Sequence, residues 1–406
     1  MRFFSKPTEE EVSLIFDIGS GSIGGALVRF SPLAAPVLFY TVRLDFPHSH
    51  SDVAHRLVSR MLQTLSQAAL AVMHEGLHAF AASGAHPKVA ETFIILAAPW
   101  VVSHTSELHL ERKEPFSVTR AVLASLLAEH RKEASAPHAL LRGHHELVPI
   151  EETLVRARVN EYPTEHPFGK MGRAVSLSVF SSFAPRHIVR QIGDTISHTI
   201  ASRRQTFHSF ALAEFAVARD LFSGEEDFLC IDFGNEQTEV SITKRGVPEE
   251  VATFPFGRNQ VLRALDASGH FGAATSAAFL KLYAEKKGVG PRFERGAVAL
   301  RSAAASWQRG FQKTLRVFAE RWMLPRRVFF TADDDIVSVL SEFIRPEEDE
   351  TVALFGTPLL LVVLDAARLA PHCEVAASVS ADAFLTLESV FAARLLSIPH
   401  PFEAVS

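Results

Sequence analysis

The chain has 406 residues, more than one ordinary hydrophobic core organises, which suits two domains or two lobes carrying an insertion. At 47% hydrophobic and 21% charged residues it is globular rather than disordered. With 41 Lys+Arg against 46 Asp+Glu, its net charge of −5 lacks the basic surplus that neutralises phosphates, which excludes a dedicated nucleic-acid binder.

In chain order, the start carries Glu9, Glu10 and Glu11 where a signal peptide needs a basic and then an apolar run. An apolar strand at 13–16 leads into Asp17-Ile18-Gly19-Ser20-Gly21-Ser22, and a second apolar segment at 25–30 completes a β-hairpin in outline. Val53, Leu57, Met61, Leu65, Leu70, Met73 and Leu77 recur at helical spacing and predict a long helix over 51–82. A buried strand at 92–98 stops at Pro99. From 101 to about 185, strands at 107–110 and 175–180 flank a helix at 118–131, and Pro167, Gly169 and Gly172 break the stretch between. That is the pattern of a small α+β module inserted in a larger fold.

Helices at 187–202 and 209–222 follow, and then the hairpin theme returns. A strand at 228–231 runs into Asp232-Phe233-Gly234-Asn235-Glu236-Gln237-Thr238, with a return strand at 239–244. Helical patterns occupy 259–265, 276–286, 297–321 and 335–344, strands 327–331 and 359–364, and a closing helix 382–396. The apolar stretch 351–364 is cut by Gly356 and Pro358 and falls short of the roughly 20 residues that span a bilayer. Two strand–Asp-x-Gly-turn–strand units in one chain read as an internal duplication.

Turns built of Gly and Ser expose backbone N–H groups and hydroxyls, a nest for an anion and above all for phosphate. The Asp ending each preceding strand, Asp17 or Asp232, suits a hydrated Mg²⁺. An alternative for one turn alone is a plain hairpin, since Asp and Gly tolerate its dihedrals. A rival site is His74-Glu75-Gly76-Leu77-His78, which matches H-E-x-x-H: two imidazoles on one helix face for Zn²⁺, with Glu75 as base, in a hydrolase. Ala81 and Gly84 stand where a third ligand belongs, and Gly76 weakens the helix by about 1 kcal/mol relative to Ala, so a coincidental pair is preferred. His130, His138, His144 and His145 lack companion ligands and read as solvated. Cys230 and Cys373 are too few for a disulfide scaffold and fit a reducing compartment, with Cys230 in the core.

The order of these motifs resembles the actin-like ATPase superfamily, and within it the FtsA branch of bacterial cell-division proteins. Cys230-Ile231-Asp232-Phe233-Gly234 through Thr238 is similar to that family's second phosphate loop, followed by Gly246 and by Pro255-Phe256-Gly257 before a helix. Glu146-Leu147-Val148-Pro149 and the stretch 160–172 resemble the family's inserted SHS2 subdomain. The resemblance implies an α/β, two-lobed fold of duplicated ribonuclease-H-like domains. Its parts would be a first lobe at 1–101 and 185–227, an SHS2-like insertion at 102–184, and a second lobe with the closing helix at 228–406. It further implies ATP with Mg²⁺ held by Asp17, Gly19, Ser20, Gly21, Ser22, Asp232, Gly234 and Thr238.

By the same resemblance the chain would be a cytoplasmic, self-associating adaptor, peripheral on the inner membrane face, linking a tubulin-like division-ring protein to the membrane. The pilus-assembly relative PilM, which binds the cytoplasmic tail of a membrane protein, is the alternative within the fold. Asn235 and Glu236 replace loop glycines, and Thr331-Ala332-Asp333-Asp334-Asp335 stands at the glycine-rich adenosine motif. An inward Glu236 would repel phosphate. These departures imply weak ATP turnover at most, or a nucleotide-free scaffold. The closing helix sets Phe384, Leu387, Phe391 and Leu395 along one side, but with Asp382 and Glu388 against Arg394 it suits core or partner packing better than an anionic bilayer.

Overall fold

The computed structural model describes residues 9–397 apart from 33, 47–53, 82–85, 135–145, 165, 203, 270–272 and 345–357. Its first strand, β1 (Glu9–Ile18), begins acidic and then carries Leu14, Ile15 and Phe16, which are fully shielded, as expected of a strand centre covered on both faces. It pairs antiparallel with β2 (Ser22–Arg29), which pairs antiparallel with β3 (Val37–Asp45). Helix α1 (Ala54–Ala71) passes through a π-helical turn, Val72–Gly76, into α2 (Leu77–Ala81). β4 (His86–Leu96) then lies parallel to β1.

A separate four-stranded sheet follows. Its elements are β5 (Val102–Ser117), α3 (Arg120–Ala134), β6 (Leu147–Val159), β7 (Tyr162–Pro163) and β8 (Met171–Pro185), in the order β5-β8-β6-β7. It has its own core, in which Leu123 and Leu127 of α3 cover Leu108, Val175 and Leu177. The chain returns through α4 (Arg186–Thr199) to β9 (Arg204–Ser209), parallel to β4, and into α5 (Phe210–Leu221).

The second half repeats the first. β10 (Phe228–Phe233), β11 (Thr238–Lys244) and β12 (Val247–Phe254) form an antiparallel meander. After α6 (Arg258–Gly269), α7 (Ala273–Ala284) and α8 (Pro291–Ala319), β13 (Arg327–Ala332) adds parallel to β10. Beyond α9 (Val337–Ile344), β14 (Leu360–Val363) adds parallel to β13. Thus β3-β2-β1-β4-β9 and β12-β11-β10-β13-β14 share both order and pairing sense, which is the duplication in three dimensions.

The chain then crosses back. β15 (Glu374–Val375) pairs with β3, so this segment, grouped by sequence with the second lobe, joins the first sheet. The closing helix, Ala383–Ser397, touches α5, β1, β2 and β13. Both it and α5 are apolar nearly all round and buried along most of their length, as a helix between two layers must be. Phe384, Leu387 and Phe391 lie in the core and Arg394 pairs with Asp220, so the amphipathic membrane-anchor alternative does not hold for this helix. Among the described residues no helix is long and apolar enough to cross a membrane.

Candidate functional site

Each hairpin turn is closed in the same way: Gly19 N–H donates to the Ser22 carbonyl at 3.1 Å, and Gly234 N–H to the Gln237 carbonyl at 3.0 Å. Trp100 Nε1 fixes the first turn by donating to the Gly19 carbonyl at 2.7 Å. The second turn is fixed by α6, whose leading N–H groups on Arg258 and Asn259 donate to the carbonyls of Gly234 and Asn235 at 3.0 and 2.8 Å. A β-carbon on Gly257 would lie 2.2 Å from the Gly234 oxygen, so only glycine allows this approach. The helix end that could have held an anion thus spends these donors on protein.

The two turns meet directly. Glu236 N–H donates to Ser20 Oγ at 2.8 Å across the cleft, and a β-carbon on Gly21 would come within 2.6 Å of Asn235 Cβ. The space directly between them is about 30 Å³, lined by Asp17, Ser20, Arg43, Asp232, Gly234 and Asp333 among others. That is room for about one water. A second space of about 240 Å³ adjoins it at Arg43, Asp333 and Phe384. Small-molecule pockets start near ~300 Å³.

Arg43, on β3, fills the position where the sequence places a cation. Its Nε and Nη2 bind both oxygens of Asp382 at 2.6 and 2.9 Å, and its Nη1 reaches Asp17 Oδ2 at 2.8 Å and Ser22 Oγ at 3.2 Å. Burial disfavours the guanidinium's charge, but Asp382 and Asp17 outweigh it and hold Arg43 firmly protonated. For Asp382, burial pushes upward, yet Arg43 and the N–H groups of Leu385 and Phe384 keep the carboxyl below its ordinary range. At Asp17 burial wins over Arg43 and raises the carboxyl.

Around this pair lies a surplus of buried acid. Asp232 Oδ1 and both carboxylate oxygens of Glu388 have no hydrogen-bond partner. Burial pushes both groups well above the ordinary carboxylate range, aided at Asp232 by Glu214, Glu239 and Asp17, and at Glu388 by Asp17. Glu214 accepts from Thr331 Oγ1 at 2.9 Å and is pushed by burial to about 8. Glu239, on β11, is raised by burial to about 7. Asp333 rises by burial to about 6 although Arg43 and Arg258 oppose it.

Of the residues expected to hold phosphate, Asp17, Gly19, Ser20, Ser22, Asp232 and Gly234 line the space between the turns. Gly21 instead packs on Asn235. Thr238 points into the second lobe's core, where its Oγ1 donates to the Phe256 carbonyl at 2.6 Å and accepts from Trp307 Nε1 at 3.0 Å, so it cannot reach a phosphate. Glu236 turns outward to Arg263 at 2.8 Å and Asn259 at 2.8 Å, not into the cleft as feared from sequence. At the adenosine position, Arg258 is engaged by Asp335 at 2.6 Å and faces Asp333 at 3.6 Å.

Mg²⁺ with a nucleoside triphosphate does not fit these residues as arranged. The carboxylate that would hold the ion is paired with Arg43, the Ser20 oxygen accepts from Glu236 N–H, and the space directly between the turns has room for about one water.

The H-E-x-x-H stretch runs through the π-helical turn, and Glu75 accepts a hydrogen bond from the Tyr40 hydroxyl at 2.7 Å. Among the described residues, no group of three His, Cys, Asp or Glu side chains is placed to hold a metal ion. His138, His144 and His145 lie outside the described residues, as does the side chain of His130. Sequence reasoning missed Arg43, because β3 was not predicted, and read Asp382 and Glu388 only as charges unfavourable to a bilayer. The signal was present: one Arg flanked by Val42 and Leu44 in a β-branched and aromatic stretch, and one Glu in the middle of a largely apolar helix.

No protein-family model matches the sequence, and no curated protein does. Among solved structures, the PilM–PilN type IV pilus biogenesis complex is similar with a TM-score of 0.58 at 13% identity, covering 95% of this chain and 98% of that one. The MamK double helical filament gives 0.42 at 10% identity, with 96% and 100% covered. A Bacteroides thetaiotaomicron protein with an actin-like ATPase fold and unknown function gives 0.39 at 8%, with 97% and 99% covered. The chain has the actin-like ATPase fold.

Proposed function

We propose that this protein is an actin-fold adaptor that acts by binding protein partners, with its cleft closed by Arg43 instead of a nucleotide. The observation that carries the reading is the enclosed volume of about 30 Å³ between turns that otherwise match in closure and position. Eroded loop glycines and the ion pairs at Asp333 and Asp335 support it from the adenosine side.

The partner we propose is the cytoplasmic tail of a membrane protein, in the manner of the PilM–PilN pairing, with the chain peripheral to the membrane through that partner. Support comes from the similarity over nearly the whole of both chains and from a closing helix too buried to serve as an anchor itself. Calorimetric titration with Mg²⁺-ATP tests the nucleotide half: no saturable heat is expected. Saturable binding near one per chain would return the protein to the nucleotide-switch class that the paired turns suggest. Depletion tests the partner half: loss of pili with normal division is expected, whereas filamentous cells would favour a division-ring link.

A further inference from the structure

The guanidinium of Arg43 sits in a receptor built from three separate parts of the chain. Asp17 ends β1 and Ser22 begins β2, while Asp382 caps the closing helix by accepting from Leu385 N–H at 3.0 Å. Both oxygens of Asp382 face one edge of the fork, Asp17 and Ser22 face the other, and the Phe384 ring lies 5.1 Å from the guanidinium carbon. A planar cation with several fixed N–H donors satisfies this set of acceptors; a spherical ion or an ammonium does not reproduce the two-sided fork.

The receptor does not depend on Arg43 for its shape. Asp382 is held by the helix it caps, and Asp17 and Ser22 by the β1–β2 pairing. Asp17, Asp382, Asp333 and Glu388 all act electrostatically with Arg43, so removing the side chain leaves a buried pocket with uncompensated negative charge.

We propose that Arg43 is a built-in ligand of the cleft, and that the residues around it form a guanidinium-binding site which accepts a free alkylguanidinium ion once the side chain is removed. The inference rests on the nucleotide-free reading above and deepens it: a tethered guanidinium occupies the cleft beside Asp17 and ties the closing helix to the β1–β2 hairpin.

The test is chemical rescue of Arg43→Ala, read as the thermal midpoint of unfolding. The variant is expected to fall several degrees below wild type, and millimolar methylguanidinium is expected to restore most of the loss along a saturable curve. Sodium, magnesium and urea at matched concentration are expected to leave it unrestored. In Arg43→Ala with Asp382→Asn the rescue is expected to vanish, because one side of the fork no longer carries charge. A midpoint unchanged by Arg43→Ala, an absence of rescue, or equal rescue by magnesium would each overturn the proposal. Should Arg43→Ala not fold unaided, its refolding yield with and without methylguanidinium makes the same comparison. Wild-type titration with Mg²⁺-ATP is a separate readout, so binding there would sink the nucleotide-free reading without deciding the rescue.

Discussion

Glu214 offers the sharpest check on the acid surplus. It lies on α5 and is 3% exposed, with Thr331 Oγ1 donating to Oε1 at 2.9 Å. Burial moves its carboxyl from an ordinary 4.5 to about 8. In the unfolded chain it releases its proton near 4.5 and in the folded chain only near 8, so between these values the folded state holds one more proton. Stability is then complete below the lower value and falls by about 1.4 kcal/mol per pH unit up to the higher one. The loss attributable to this residue by pH 8 is on the order of 4 kcal/mol. Glu214→Gln keeps the acceptor for Thr331 and removes the titration. Urea denaturation of both proteins from pH 5 to pH 8.5 should show the variant gaining on wild type steadily as pH rises. Parallel curves would refute the assignment, because the neighbouring acids Glu239 and Asp232 remain in both proteins.

Gly21→Val puts a branched side chain where a β-carbon already comes within 2.6 Å of Asn235; it should cost about 1–3 kcal/mol and loosen the contact between turns, seen as faster amide exchange at Glu236. Glu151 accepts from Ser182 Oγ at 2.7 Å and Ser209 N–H at 2.9 Å and faces His208 Nδ1 at 3.1 Å, tying β6 to the end of β9. Glu151→Ala should cost about 3 kcal/mol in chemical denaturation, and limited proteolysis should then cut first around 102–184. Trp307, fully buried between Phe233, Phe254 and Phe311, should lose about 3–5 kcal/mol on truncation to Ala by the same assay.

The paired hairpins were legible because the centres of their leading strands are shielded on both faces, so that short apolar runs at 14–16 and 228–231 lead straight into an Asp. The strands that escaped notice are those with mixed burial. β3 is intermediate at most positions, and β6 carries Glu151, Glu152, Arg156 and Arg158 among its apolar residues. β15 is two residues long and exists only because β3 offers it an edge. Thr238 was misread for a related reason: a hydroxyl one step past a glycine turn looks the same in sequence whether it faces the cleft or, as here, the indole of Trp307. The Arg43–Asp382 pair was invisible for a stronger reason, since its members meet across 339 positions and neither lies in a motif.

The closed cleft also follows from charge. One guanidinium satisfies Asp382 and part of Asp17, and the remaining acids at Asp232, Glu388, Glu214 and Glu239 are stable out of water only while they keep their protons. Separation of the lobes would hydrate these groups and return them toward ordinary values, so opening releases protons and becomes easier as pH rises. Loss of Arg43 would leave Asp17 and Asp382 to repel each other and would loosen the closing helix from the β1–β2 hairpin. An open form would therefore present a strongly acidic cleft, which repels a bare polyphosphate unless cations come with it to offset the carboxylates. The proposed nucleotide-free state therefore rests on two separate features, the narrow space between the turns and the charge that opening them would expose.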